Sequence, residues 1–203
     1  MFKKETRIIA WDDCAFRFGQ KTVRIVGAVF RGGNFMDGVL STTITKDGND
    51  ATEKIASSIL NSRHHDQLSW IMTNGISFGG LNILDINELH KRTELPVAAV
   101  VRKKPDKKEF IAALRKFRDS KRRTIIVQNT GAAIKYGEIY YQKAGASRKE
   151  CEEILKLTCT RSKIPEPLRA AHLIAGGMSR RAGNKNEHDK RAVSVGYESK
   201  GRA

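Results

Sequence analysis

Hydrophobic and polar positions divide this chain into two regimes. Over roughly the first quarter the apolar positions run together or alternate, as they do in strands. TRIIAWD (6–12), TVRIVGAVFRGG (22–33) and GVLSTTITKDG (38–48) fit that pattern and close on acids, glycines or a turn. Three strands joined by short connections predict an antiparallel meander. From residue 50 the spacing becomes helical. DATEKIASSILNSR (50–63) sets Ile55, Ile59 and Leu60 on one side, with Asp50 as N-cap and Glu53 in the capping-box position. LSWIM (68–72) and LPVAAVV (95–101) read as short buried strands around a helix, LDINELHKRTE (84–94). KKEFIAALRKFRDS (107–120) is an amphipathic helix, and RTIIVQNTG (123–131) is predicted as strand or extended chain. SRKECEEILKLTCTRS (147–162) is a helix turning Cys151, Ile154, Leu155 and Cys159 inward. PEPLRAAHLIAGG (165–177) is a last helix, opened by proline and stopped by glycines. From about Met178 the apolar pattern fades. Residues 1–177 are therefore predicted to form one domain, and 178–203 a basic, flexible tail. The order predicts a mixed α/β sheet covered by helices.

The chain has 203 residues, enough for one sizeable core. Its 30% charged and 39% hydrophobic residues are ordinary for a soluble globular protein. No window approaches the ~20 apolar residues of a membrane span, and the N-terminus lacks the apolar core of a signal peptide. A cytoplasmic protein without a membrane partner is expected. The three cysteines, Cys14, Cys151 and Cys159, form no CxxC pair, so neither a disulfide framework nor a zinc knuckle is suggested. The formal net charge of +16, with a pI near 10.0, changes the picture most. Such an excess attracts polyanions, nucleic acid first among them. Between residues 102 and 123 eleven Lys or Arg stand against three acids. A solvated helix face is the plain reading of that run. Arg102 is better placed than most, since it follows a buried strand. No GxGxxG or GxxxxGK[ST] pattern occurs, so a dinucleotide or P-loop site has no motif support.

Candidate chemistry gathers at strand ends. AWDDCAF supplies Asp12 and Asp13, which point to opposite faces of a strand and so are expected to do different jobs. KDGND supplies Asp47 and Asp50 in a turn before the first helix. Two such acids from separate strands, held close, suit Mg²⁺, which takes one or two carboxylates and keeps several waters. WIMTNGISFGG puts Asn74 at the end of a buried strand. Of the five histidines, His64 and His65 are expected to face solvent in a polar turn, and His90 an exposed helix face. His188 lies in the tail. His172 differs, sitting in the apolar stretch AAHLIA, where a histidine is ordinarily a hydrogen-bonded core residue and less often a site residue.

The segment IPEPLRAAHL (164–173) resembles the C-terminal helix of endonuclease V. Together with VGAVFRGG, DGVLSTTITKDGNDATEKI and NGISFGGLNILDI it resembles an uncharacterised archaeal family distantly related to that nuclease. The resemblance spans about residues 6–177. It implies a ribonuclease-H-like α/β fold: a mixed sheet of three antiparallel strands, then parallel strands, with helices on both faces. It also implies Mg²⁺ (or Mn²⁺) held by acids, and cleavage of nucleic acid, DNA or RNA, near deaminated adenine (inosine). Carried over residue by residue, the first-strand aspartate falls on Asp12. The acid before the first helix falls on Asp47, with Asp50 as the other choice. The aspartate of a DG motif falls on Asn74, and the late histidine on His172. Metal ligands would then be Asp12, Asp47 and Asn74. Arg102 stands where the nuclease has a lysine, and with Lys103 and Arg169 it would meet phosphate. Asn74 is the departure that matters, because an amide offers a metal an oxygen but no charge.

Three functions follow as expectations. The first is a metal-dependent, endonuclease-V-like protein whose activity is weakened or lost because Asn74 replaces an aspartate. The alternative is a non-catalytic nucleic-acid-binding protein on the same scaffold. A nucleotide- or small-molecule-processing enzyme is the third, since fold does not fix function.

Overall fold

The computed structural model describes residues 2–180. The meander forms as predicted: β1 (Arg7–Asp13), β2 (Thr22–Arg31) and β3 (Phe35–Thr45) pair antiparallel. Helix α1 (Ala51–Leu60) returns the chain to β4 (Leu68–Asn74), which lies parallel to β1. A two-stranded ribbon of β5 (Ser77–Phe78) and β6 (Asn82–Ile83) follows, then α2 (Ile86–Thr93) and β7 (Val97–Val101), parallel to β4. Two short helices, α3 (Lys107–Leu114) and α4 (Ser120–Asn129), precede a hairpin of β8 (Ile134–Tyr136) and β9 (Ile139–Ala144). Helices α5 (Arg148–Thr158) and α6 (Glu166–Arg180) close the described chain. The sheet order is β3-β2-β1-β4-β7-β9-β8.

Alternation along β1 assigns the two faces of the sheet. Ile9 and Trp11 enter one core with Ile55 and Ile59 of α1 and Ile86 and Leu89 of α2. Ile8 and Ala10 enter the other with Trp70, Met72, Ile154, Leu155 and Leu168, under α5 and α6. Asp12 therefore faces α6, and Asp13 faces the α1 side. Trp11 fits because Gly27 stands opposite it: a Cβ there would lie 2.8 Å from the indole. Each large side chain buried this way contributes about 1.5–3 kcal/mol.

The structure corrects the sequence reading in several places. Residues 123–131 are largely helix: the β-branched run TIIV lies in α4, where Arg123 and Val127 share the buried side and Ile125 is left outside. The β8–β9 hairpin was not predicted, and it adds two antiparallel strands beyond the parallel ones. At α1 the Asp50 side chain does not cap. It accepts from the Thr45 N–H and hydroxyl, while Asn82 Oδ1 receives the Ala51 N–H at 3.1 Å. His64 is buried rather than solvent-facing, and His90 is half-buried, its Nδ1 hydrogen-bonded to the Leu95 carbonyl. Helix α6 continues through residues 178–180, where the apolar pattern had already faded; the rest of the predicted tail, His188 included, lies outside the described residues.

Candidate active site

The carboxyl ends of the parallel strands β1, β4 and β7 lie side by side, the usual place for a site in an open α/β sheet. Asp12 sits there with its side chain 3% exposed. Its Oδ1 accepts from its neighbour's backbone, Asp13 N–H, and from Asn74 Nδ2, both at 2.9 Å. Its Oδ2 is 2.8 Å from His172 Nδ1. A carboxylate only accepts, so His172 donates through Nδ1. The histidine is 52% exposed although its stretch of sequence is apolar. Helix α6 packs through Leu168, Ala171 and Ala175, which leaves position 172 at the rim of that buried stripe. Residues from three elements, 62 and 160 positions apart, thus meet on one buried carboxylate.

Asp13 is held on the other face. The β1–β2 register runs without a bulge through Asp12 and Asp13, and Asp13 Oδ2 accepts from Gly79 N–H at 2.8 Å. Burial first, and the adjacent Asp12 charge second, push its carboxyl up to about 7 against the pull of Gly79 N–H and the charge of His172. Asp47 reaches the same turn. Its backbone N–H donates to the Gly79 carbonyl at 2.9 Å, and its Oδ1 accepts from Leu81 N–H at 2.8 Å. Its φ of 55° is the left-handed conformation that aspartate tolerates. Gly80 is required beneath it, since a Cβ would stand 2.5 Å from Asp47 Oδ1. Asp47 is thus tied to the 79–81 turn, with no hydrogen bond to Asp12. Asp50 is tied to Thr45 and Asn82.

Arg123 fixes that turn from beneath. It is 3% exposed, donates to the Leu81 carbonyl and, at 2.8 Å, to the Asp47 carbonyl, pairs with Asp119 at 2.8 Å and stacks on Phe117. Sequence reading missed it because it placed residue 123 at the start of a strand; the i,i+4 spacing from Asp119 was the available signal. The expected phosphate contacts divide. Arg102 and Lys103 are exposed just beyond Val100, which registers with Asn74. Arg169, three residues before His172 on α6, is committed to Glu166 at 2.8 Å.

Among the described residues no group of three or more His, Cys, Asp or Glu side chains is arranged to hold a metal. The arrangement does provide a buried acid that orients an imidazole, beside an amide whose nitrogen donates to that acid.

A family model described as endonuclease dU matches residues 4–179. The chain belongs to that family. An archaeal relative, a UPF0215 protein of Methanosarcina mazei, is 48% identical over 183 residues, covering 87% of this chain and 92% of its own. A crystal structure of a protein of unknown function from Archaeoglobus fulgidus superposes with a TM-score of 0.80 at 36% identity, covering 85% of this chain and 98% of that one. Ciona intestinalis endonuclease V, solved with a DNA containing inosine followed by a ribo-adenosine, is similar with a TM-score of 0.57 at 10% identity, covering 88% and 87%. The fold of this family member is therefore that of endonuclease V, ribonuclease-H-like, and family and fold together support a nuclease-like role concerned with nucleic acid. No described helix is long and apolar enough to cross a membrane.

Proposed function

We propose that this protein is an endonuclease hydrolysing phosphodiester bonds in nucleic acid, with Asp12 at the centre of its site. The observation that carries the reading is the His172–Asp12–Asn74 chain at the carboxyl end of adjacent parallel strands. A buried acid that orients an exposed imidazole through Nδ1 is an arrangement suited to proton transfer at the surface. The family's name, endonuclease dU, makes DNA containing deoxyuridine the first substrate to test.

Mg²⁺ or Mn²⁺ is the cofactor this reading requires. The donor chemistry fits a hard cation: Asp12 is a carboxylate that, among the described residues, is hydrogen-bonded to no lysine or arginine, and Asn74 adds an amide oxygen beside it. Asp12 and Asn74 would hold it in a sparse site completed by water, with Asp13 and Asp47 serving the 79–81 turn. When bound, the ion supplies charge neutralisation at phosphate and lowers the pKa of a water. Arg102 and Lys103 supply positive charge beside the same strand end.

The test is incubation with Mg²⁺ or Mn²⁺ and DNA carrying deoxyuridine or inosine, plain DNA and RNA, beside a folded Asp12→Ala variant. Cleavage falling by at least about 10³-fold in the variant is expected. Cleavage that persists in Asp12→Ala, or absence of both cleavage and binding, overturns the proposal. One observation favours a second reading, a non-catalytic nucleic-acid-binding protein: Asn74 already satisfies Asp12 with a neutral N–H. That reading predicts binding without cleavage, unchanged in Asp12→Ala.

A further inference from the structure

We propose that the α3–α4 arm is a docking surface for the sugar–phosphate backbone of a nucleic acid, set alongside the Asp12 corner. The inference rests on the nucleic-acid reading above and adds where the strand lies.

The arm has two unlike sides. Its inner side is apolar: Leu114 and Val127, with Phe110 and Phe117, pack on Leu81 and Ile83 in a small core separate from the two that flank the sheet. Its outer side is cationic. Of the eleven Lys and Arg between residues 102 and 123, nine are exposed, among them Lys104, Lys108, Arg118 and Arg122. Two of the three acids in the same stretch are spent locally. Asp106 caps α3, accepting from Lys108 and Glu109 N–H at 2.8 and 3.1 Å, and Asp119 binds Arg123. The local excess of positive charge therefore faces water.

Position gives that charge a purpose. The arm leaves the sheet immediately after β7, whose Val100 registers with Asn74. It sits on the segment that follows Asn74, the one whose Gly79 and Leu81 N–H groups hold Asp13 and Asp47. Arg123 joins the arm to both through the Leu81 and Asp47 carbonyls. A polyanion lying on the outer side would thus be registered against the strand end that carries Asp12. Repeating phosphates suit it better than a lipid surface, because its large apolar residues are turned inward and Ile125 alone stands out.

The experiment measures fluorescence anisotropy of labelled DNA and RNA over a salt series with the full chain. A Lys104→Glu/Lys108→Glu/Arg118→Glu variant is compared with Lys54→Glu/Lys149→Glu/Lys156→Glu, which changes net charge equally on α1 and α5. Thermal melts confirm that both fold. The arm variant is expected to lose at least about tenfold in affinity at fixed salt and about 2–3 in salt slope, the control much less. Equal loss in the two variants means net charge alone acts and overturns the arm. So does wild-type affinity in the arm variant. Binding of the arm to phosphatidylserine vesicles, with nucleic-acid affinity unchanged in the arm variant, would assign the surface to lipid instead and overturn it too. In all three cases the wild type still binds nucleic acid, so the endonuclease reading stands; a wild type that binds none sinks both.

Discussion

The two ends of β1 solve opposite electrostatic problems. At the start, Asp37 accepts from Arg7 Nε at 3.1 Å and Arg31 Nε at 3.0 Å, and Arg31 also reaches Glu5. Two guanidiniums meet each demand of the carboxylate. At the finish, the consecutive Asp12 and Asp13 receive, among the described residues, backbone N–H groups, an amide and an imidazole. Their responses diverge accordingly: the Asp37 carboxyl is lowered, and the Asp13 carboxyl is raised. A network that needs only to hold strands together uses full counter-charges. At the finish burial and a like charge stand where the start has guanidiniums, and an acid shifted that way marks a candidate functional site.

Arg123 is the guanidinium nearest in role to a counter-charge at the finishing end, yet it serves carbonyls, and its loss should do the most damage. Arg123→Ala strands the Leu81 and Asp47 carbonyls and the Asp119 carboxylate, and empties the face of Phe117. A loss of about 3 kcal/mol in urea unfolding is expected. A loss below about 1 kcal/mol would mean that the 79–81 turn holds without it.

Asn74→Asp sharpens the comparison directly. It exchanges a donor for a second charge 2.9 Å from Asp12 Oδ1. With a chelator present the variant should be less stable than the wild type by about 2 kcal/mol. Millimolar Mg²⁺ should recover much of that in the variant and raise the wild type less. Equal melting temperatures with and without chelator would mean that this corner does not gather cations. A gain of cleavage on the same exchange would identify the amide as what restrains the site.

Most of the scaffold was legible because its elements carry their own periodicity. The meander, α1, β4, α2, β7, α5 and α6 all show it. Residues 123–131 misled because a run of Thr, Ile and Val is β-prone in isolation, whereas Arg123 and Val127, four apart, find their partners only in a helix. The β8–β9 hairpin had a signal, aromatic and branched residues around Gly137, but too short to read alone. Site residues were another matter. Nothing in local spacing joins Asp12 to Asn74 or to His172; only the resemblance named them together. It also named Asp47, which is bound to Leu81 and reaches the corner only through Asp13's turn. Arg123 had only its i,i+4 spacing from Asp119 to reveal it, since its other hydrogen-bond partners are carbonyls of distant turns.

The smallest effect lies at the start of β1 and tests the other half of the contrast. Burial opposes the charged form of Asp37, but the Arg7 and Arg31 hydrogen bonds outweigh it and lower the carboxyl. A lowered acid adds stability above its unfolded pKa of about 4, and that stability is lost as pH falls through the folded value. Asp37→Asn should therefore melt below the wild type at neutral pH, and the gap should close on acidification below about pH 4. Arg7 and Arg31 are each about a third exposed, so the gap is expected to be modest, about 1 kcal/mol at most. A gap that stays constant from neutral to acid pH would mean that Asp37 acts by packing, and the charge balance at this end would then not explain why its acid and Asp13 respond in opposite directions.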